Sequence, residues 1–223
     1  MKDDMRITNA NMRQAFVLHF LAEAFQYPDE SWIERFRTLA EDAQREGMIL
    51  PSFSAEELRE EHFRLFGPSP ACPQDLTLHL AENPFEQARM MAHMAGFYRA
   101  FGVEQEEGER SDNLPVALSF LFFLILKERN AALKGLKEAR EVTAQAITDF
   151  TQEFLSPGVA AFSSKLVALT LNPFYLALAE ILGRGIFAIP MPLKETISLW
   201  EPRSQNAEEG EMTCGILKQP LQS

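Results

Sequence analysis

Five acidic side chains within one short stretch are the strongest chemical feature of this sequence. Residues 104–112 carry five carboxylates and one arginine, Arg110, which leaves a local charge of −4. Ionised carboxylates accept paired hydrogen bonds from the planar guanidinium of arginine, a geometry that lysine satisfies less well. Within this stretch Glu109 and Asp112 lie next to an apolar run, Leu114–Leu126. An arginine-rich peptide with an apolar segment behind it would match both features.

A second candidate surface comes from methionine and phenylalanine at helical spacing. Met94 and Phe97, with Met90 and Met91 before them, offer the adaptable apolar contact that proteins use to hold varied apolar segments. The other interpretation is that this stripe belongs to the core and that the acidic stretch is a solvated turn. Both interpretations remain open at this point.

Catalytic and metal-binding patterns are missing from the sequence. The four histidines share no i, i+4 helical face, and no glycine-rich phosphate loop or nucleophile elbow occurs. Cys72 and Cys214 have no metal-ligand spacing, and the paired glutamates near residue 60 do not form a calcium loop. We therefore expect no catalytic residues, no metal and no cofactor, and a protein that is not an enzyme.

The sequence segments that would position these residues carry apolar side chains at the spacing of α-helices. Trp32, Phe36, Leu39 and Ala43 are typical of one amphipathic helix, and the other segments follow the same spacing. We predict an all-α fold of one domain with roughly seven to nine helices, using about 11–12 residues per helix. The sequence also predicts a break at residues 156–158 and a last helix that ends at Gly183 and Gly185.

Charge and apolar content indicate where the protein acts and which partners it can bind. The chain has 223 residues and a formal charge of −11, which disfavours nucleic acid and anionic membranes as partners. The N-terminus lacks a signal-peptide pattern, and the longest apolar run is shorter than the ~20 residues needed to cross a bilayer. We expect a cytoplasmic protein with a helical domain over residues 1–200 and a polar, mobile tail over residues 201–223.

Three blocks of the sequence resemble the TorD/DmsD/NarJ family of redox-enzyme maturation chaperones. Residues 61–68, Glu-His-Phe-Arg-Leu-Phe-Gly-Pro, are similar to the family's Tyr-x-x-Leu-Phe, Gly-Pro and proline-rich loop. Residues 98–102, Tyr-Arg-Ala-Phe-Gly, resemble its Tyr-x-x-x-Gly helix end. Residues 109–115, Glu-Arg-Ser-Asp-Asn-Leu-Pro, resemble its signature Glu-Pro-x-Asp-His-Leu and the Leu-Pro variant. The resemblance covers residues 12–187, with Arg110 in place of the usual Pro, Asn113 in place of His and His62 in place of Tyr.

The resemblance implies a chaperone that binds the N-terminal segment, often a twin-arginine signal, of the catalytic subunit of a molybdopterin oxidoreductase. It further implies that the chaperone assists cofactor insertion, folding, and assembly or export of that subunit. The peptide-binding positions that the resemblance carries over are Glu109, Asp112, Asn113 and Leu114, with Leu65, Phe66, Gly67 and Pro68 flanking the groove. Glu109 and Asp112 could instead stabilise the start of the helix that follows them.

Two other classes of protein remain open from the sequence. One is a helical interaction or regulatory module that binds an unrelated amphipathic helix in a groove. The other is a small-molecule enzyme or nucleotide binder that uses the acidic stretch. Related chaperones occur as monomers and as dimers, and residues 104–112 could permit an exchange of helices between two copies.

Overall fold

The fold is built from α-helices. The computed structural model describes residues 2–105 and 108–187, with side chains from residue 12 onward, and the described helices belong to one compact unit. The α-helices of these residues are α1 (Lys2–Ala24), α2 (Glu30–Arg45), α3 (Ala55–Phe66), α4 (Pro84–Ala100), α5 (Leu114–Leu133), α6 (Lys137–Phe150), α7 (Ser156–Leu169) and α8 (Pro173–Phe187). The predicted all-α class is confirmed, since the described residues contain eight α-helices and no strand. The predicted boundary at residue 200 and the tail 201–223 lie outside the described residues.

Helix α5 forms the centre of the fold because it is apolar on most of its circumference. Leu118, Leu121 and Leu124 are fully buried, and α1 and α6 pack against this helix. Helix α8 packs against α7 and α1, which closes the other side of the core. The apolar run Leu114–Leu126 is therefore a core helix, as predicted, and burial of its leucines contributes about 1.5–3 kcal/mol per side chain before entropic costs.

Phenylalanine rings pack mainly against each other, in keeping with a composition of 18 Phe and few Tyr or Trp. Trp32 stacks on Phe36 with ring centroids 4.3 Å apart, and Phe36 meets Phe174 of α8 edge to face at 5.8 Å. The indole nitrogen of Trp32 donates a 2.7 Å hydrogen bond to the Glu23 carbonyl at the end of α1. This contact ties α2 to α1 and satisfies the polar atom of a buried ring.

Two predicted helix boundaries are wrong. Helix α6 continues into α7 through a π-helical turn, Thr151–Leu155, where a break was expected at residues 156–158. The wider turn changes the hydrogen-bond register just before Pro157, which has no amide hydrogen to donate, so the chain absorbs the proline without a loop.

Helix α8 passes through Gly183 and Gly185 and continues to Phe187. A Cβ atom at position 185 would lie only 3.0 Å from Val17 Cγ1, so this glycine permits close packing on α1. It does not stop the helix.

Candidate functional site

Two long connections meet at the start of α5. The proline-rich connection, residues 67–83, contains a 3₁₀ turn, Leu76–His79, and the acidic connection, residues 101–113, follows α4. Asp75 and Asn113 form an isolated antiparallel bridge between the two connections. The Leu76 amide donates to the Asp112 carbonyl at 2.8 Å, and the Leu114 amide donates to the Gln74 carbonyl at 2.9 Å. The end of the acidic connection, at residues 112–113, is thus fixed by backbone hydrogen bonds to the proline-rich connection.

Arg110 joins the same two connections through its side chain. Its Nε lies 3.0 Å from Asp75 Oδ2 and 3.0 Å from Asp112 Oδ1, and its Nη2 lies 2.9 Å from Asp112 Oδ2. We call Arg110, Asp75 and Asp112 the Arg110 clasp. Hydrogen bonding to Asp112 raises the pKa of Arg110. The pKa of Asp75 is also raised above its usual value, mainly by burial and secondly by the nearby charge of Asp112.

Asp112 points into the protein. Its side chain is 0% exposed, and it accepts a hydrogen bond from the Thr77 hydroxyl in addition to those from Arg110. From the sequence we expect this carboxylate to meet an arginine of a bound peptide. In the structure the arginine that it meets is Arg110, and we attribute to Asp112 the positioning of the acidic connection.

Helix α4 is anchored to the acidic connection by buried polar contacts. The Tyr98 hydroxyl donates a 2.6 Å hydrogen bond to the Ser111 carbonyl, and the Ser111 hydroxyl donates to the Met91 carbonyl at 2.9 Å. Burial raises the pKa of Tyr98 well above its usual value. Tyr98 is therefore a neutral donor that fixes the end of α4 against the loop.

An open cleft of about 500 Å³ lies where the acidic connection meets the end of α1 and the first turns of α5. Its apolar lining comes from Phe25, Tyr27, Tyr98, Val103, Pro115, Val116, Phe120 and Phe123. Its polar lining comes from Gln26, His62, Gln74, Glu104, Gln105, Glu109, Asn113 and Ser119. The cleft therefore combines an apolar wall with a rim that carries two exposed carboxylates, Glu104 and Glu109.

Two side chains of the cleft, those of Tyr27 and Gln105, are available to contact a ligand. Tyr27 is 52% exposed although it is aromatic, and it stands at the mouth beside Gln26. The side-chain nitrogen of Gln105 is buried and has no hydrogen-bond partner among the described residues. An unpaired buried donor is costly, and a peptide carbonyl is one group that would satisfy it.

His62 enters the cleft from α3. Its Nε2 lies 3.3 Å from the Phe25 carbonyl, to which Gln74 Nε2 also donates at 2.7 Å. The ring packs edge to face against Tyr27 and Phe66 with centroids 5.4 Å and 5.0 Å away. Burial lowers the pKa of His62, so the neutral imidazole is the form that the folded protein favours.

The structure brings only part of the predicted set of site residues to the cleft. Glu109 and Asn113 line it, and Leu114 lies beside it as a fully buried residue at the start of α5. Met94 is 0% exposed and belongs to the core, and Phe97 packs on Phe150 and Phe154 with centroids 5.5 Å and 6.0 Å away. The predicted methionine surface on α4 is therefore helix packing and not a wall of the groove.

The flanking block 65–68 is structural in most of its positions. Leu65 is fully buried, and Phe66 packs between Phe25 and Phe162. A Cβ atom at Gly67 would lie 2.4 Å from the Phe63 carbonyl oxygen, so only glycine allows this close turn at the end of α3. Pro68 is exposed and does not line the cleft.

Apart from the cleft, the described residues show neither a metal site nor an activated thiol. No group of three or more His, Cys, Asp or Glu side chains in residues 12–105 and 108–187 is arranged to hold a metal ion. Burial raises the pKa of the Cys72 thiol to about 11, which makes it a poor nucleophile near neutral pH. Of the helices that the structure describes, none has the length and apolarity to cross a membrane.

Comparisons with known proteins agree with the fold and with the three sequence blocks. The profile of the family described as nitrate reductase delta subunit matches residues 29–164, which is more than half of the chain. A crystal structure of a proposed redox enzyme maturation protein from Archaeoglobus fulgidus is similar, with a TM-score of 0.50 and 22% sequence identity. That alignment covers 78% of this chain and 92% of the other.

A search of the curated proteins gives no match to this chain. The family profile spans α2 to α7 and thus includes the two connections that form the acidic side of the cleft. The chain therefore belongs to the nitrate reductase delta subunit family, within the TorD/DmsD/NarJ group of redox-enzyme maturation chaperones.

Proposed function

We propose that this chaperone binds the N-terminal segment of the catalytic subunit of a molybdopterin oxidoreductase in the cleft beside α5. The segment, which in this group is often a twin-arginine signal, would be held in the cytoplasm until cofactor insertion and folding are complete. Assembly or export would follow release. The observation that carries the proposal is one cleft in which the exposed Tyr27 and the partly exposed Phe123 stand beside a carboxylate rim.

The apolar wall supplies most of the binding free energy in this proposal. The apolar lining residues that are exposed or partly exposed are Tyr27, Val103, Val116 and Phe123, whereas Phe120 is only 3% exposed. Aromatic residues at the centre of an interface commonly account for 2 kcal/mol or more each. Because Tyr27 is half exposed in the unbound chain, its ring gains burial when the peptide enters.

The carboxylate rim supplies attraction and orientation. Glu104 and Glu109 stand on the acidic connection of a chain whose formal charge is −11. Exposed charges of this kind raise the association rate more than they lower the dissociation rate, and salt screens them over ~8 Å at physiological ionic strength. A cationic segment is therefore drawn to the cleft and then held by the apolar wall.

A matched pair of aromatic substitutions tests the binding site. Tyr27 lines the cleft and is 52% exposed, whereas Phe85 at the start of α4 is 83% exposed and lies outside it. The probe is a synthetic peptide in which two adjacent arginines precede a stretch of leucine and phenylalanine, and calorimetry measures its affinity. Tyr27→Ala is expected to weaken binding by about tenfold or more, and Phe85→Ala to leave it unchanged.

An equal loss in both variants, or no loss in Tyr27→Ala, would place the peptide elsewhere. If the protein is instead a module that binds an unrelated helix in its groove, a peptide without any positive charge should bind as well as the probe.

Deletion of the gene in the native host tests the maturation role itself. We expect molybdopterin oxidoreductases to accumulate with less cofactor in the deletion strain, and a normal cofactor content would contradict the role.

A further inference from the structure

A second groove lies on another side of α3 from the cleft. One wall comes from Glu57, Glu60, Glu61 and Arg64, and the other from Leu169, Leu171 and Asn172, at the end of α7 and in its connection to α8. We call this space, about 510 Å³ in volume, the α3 groove. Side chains three or four residues apart share one face of a helix, whereas His62 leaves α3 on another face and lines the cleft. The α3 groove and the cleft are therefore separate surfaces of one helix.

The apolar wall of the α3 groove is tied to α3 by hydrogen bonds. Arg64 Nη2 donates a 2.8 Å hydrogen bond to the Leu169 carbonyl. The Thr170 hydroxyl donates to the Glu61 carboxylate. Between these fixed points and α8 the chain presents Leu171, which is 93% exposed. Because the wall is already ordered, an apolar partner that covers Leu171 pays little for ordering the loop.

The charged wall of the α3 groove carries two uncompensated carboxylates. Glu61 pairs with Arg64 at 2.7 Å, so these two charges cancel. Glu57 and Glu60 are exposed and form no ion pair with the residues that the structure describes. They stand three residues apart on α3, which is about 4.5 Å along the helix axis. The groove thus offers two negative charges beside an exposed leucine.

We infer that the α3 groove docks a basic amphipathic helix of a partner protein. Charge complementarity calls for lysine or arginine opposite Glu57 and Glu60, and Leu171 calls for an apolar side chain on the neighbouring stripe. The spacing of the two carboxylates is close to the ~5.4 Å pitch of a helix, whereas side chains on one face of a strand are about 6.6–6.8 Å apart. A second copy of this chain is a poorer occupant, because each copy carries a formal charge of −11.

This inference goes beyond the proposed function and does not depend on it. The α3 groove shares no lining residue with the cleft, so a partner can dock there while a client segment occupies the cleft. The alternative is that Glu57 and Glu60 form an ordinary solvated helix face and that Leu171 is a single exposed leucine. In that case these side chains affect binding no more than other exposed ones of the same type.

The experiment uses the full chain and a synthetic helix as the probe. The probe has about 20 residues, which is long enough for helix formation in water, and it carries a lysine stripe and a leucine stripe side by side on an alanine background. Calorimetry measures its affinity at low salt. A second peptide with glutamine in place of lysine is expected to bind about tenfold more weakly.

Matched pairs of variants locate the probe. Leu171→Ser is expected to weaken binding by about fivefold, and Ile49→Ser, at a residue that is 89% exposed and outside the groove, by less than about twofold. The double variant Glu57→Gln/Glu60→Gln is likewise expected to weaken binding by about fivefold. Its control is Glu30→Gln/Glu34→Gln, which removes two exposed carboxylates from the start of α2 and should have less than about a twofold effect. Circular dichroism checks that each variant keeps its helices.

Three results would overturn the inference. The first is that the probe does not bind to the wild type, and the second is that the groove variants and their controls lose affinity equally. The third is that Tyr27→Ala weakens the probe while Leu171→Ser does not, which would place the probe in the cleft. Failure of the proposed function looks different, because the twin-arginine peptide then fails to bind while the helical probe still depends on Leu171.

Discussion

Replacement of Asp112 by asparagine is expected to destabilise the protein as a whole more than it weakens contact with any peptide. The side chain is 0% exposed and accepts hydrogen bonds from Arg110 at 3.0 and 2.9 Å, with a further one from Thr77. Asparagine keeps the size but removes the charge, and its amide group turns a donor toward donors. The clasp then keeps the ion pair between Arg110 and Asp75, with one acceptor oxygen left at position 112 in place of two.

The magnitude follows from the exposure of the remaining partner. Removal of one member of a fully buried ion pair costs about 3–5 kcal/mol because the other charge stays uncompensated. Arg110 is 39% exposed and keeps Asp75, so water and the second aspartate reduce that cost. We expect a loss of about 2–3 kcal/mol in the free energy of unfolding, which is close to the contribution of hydrogen bonds to a charged group.

Urea unfolding followed by circular dichroism measures this loss, and a thermal scan should show a decrease of roughly 4–10 °C in Tm for a domain of this size. Glu104→Gln is the matched control, because Glu104 is an exposed carboxylate on the same connection and its replacement should change stability by less than about 0.5 kcal/mol. If Asp112→Asn unfolds like the wild type but no longer binds the probe peptide, the carboxylate is a peptide contact and our assignment of it to the fold is wrong.

Four further substitutions test the surroundings of the cleft and the packing of α8. Tyr98→Phe removes the 2.6 Å hydrogen bond to the Ser111 carbonyl and should lower the free energy of unfolding by about 1–2 kcal/mol, and no loss in urea unfolding would contradict the anchoring role. In Gly183→Ala the new methyl group would meet nothing within 4 Å, so this variant should gain about 0.5–1 kcal/mol in the free energy of unfolding. Gly185→Ala should gain less, because its methyl group would lie 3.0 Å from Val17. Equal shifts of Tm in the two variants would contradict this packing. Burial lowers the pKa of His62 below its ordinary value of 6.5, so the unfolded chain binds more protons at mildly acidic pH and the contribution of the neutral ring is lost as the pH falls through about 6.5. Urea unfolding at about pH 7.5 and about pH 5.5 should therefore show that the wild type loses more stability on acidification than His62→Phe. Equal losses of stability in the two proteins would contradict this role of His62.

Local patterns in the sequence predicted most of the helices. The i, i+4, i+7 spacing of apolar residues identifies α2, and the apolar run Leu114–Leu126 identifies α5, without knowledge of their partners. Asn83, a residue type that favours helix N-caps, accepts a 2.9 Å hydrogen bond from the Glu86 amide at the start of α4. The exceptions are places where packing or an altered turn overrides a local signal. Pro157 follows a π-helical turn, and Gly185 serves close contact with α1.

The candidate site was less predictable because its parts are distant in the sequence. Asp112 and Glu109 are both carboxylates of one acidic stretch, and only burial distinguishes the internal one from the one at the rim. A count of charges cannot show that Arg110 is paired with Asp75, which lies on another connection. Tyr27 lies in the connection between α1 and α2 and His62 lies in α3, and no spacing rule connects these positions with Glu109.

Crosslinking inside the native host tests the proposed peptide site most directly. A photoreactive phenylalanine analogue placed at position 27 stands at the mouth of the cleft, and the same analogue at position 85, which is the more exposed of the two, is a control outside it. After illumination, mass spectrometry identifies the protein and the segment joined to each position. We expect position 27, and not position 85, to crosslink to the N-terminal segment of a molybdopterin oxidoreductase catalytic subunit. Crosslinks to that segment from position 85 alone, or crosslinks from position 27 only to unrelated proteins, would contradict the assignment of the cleft.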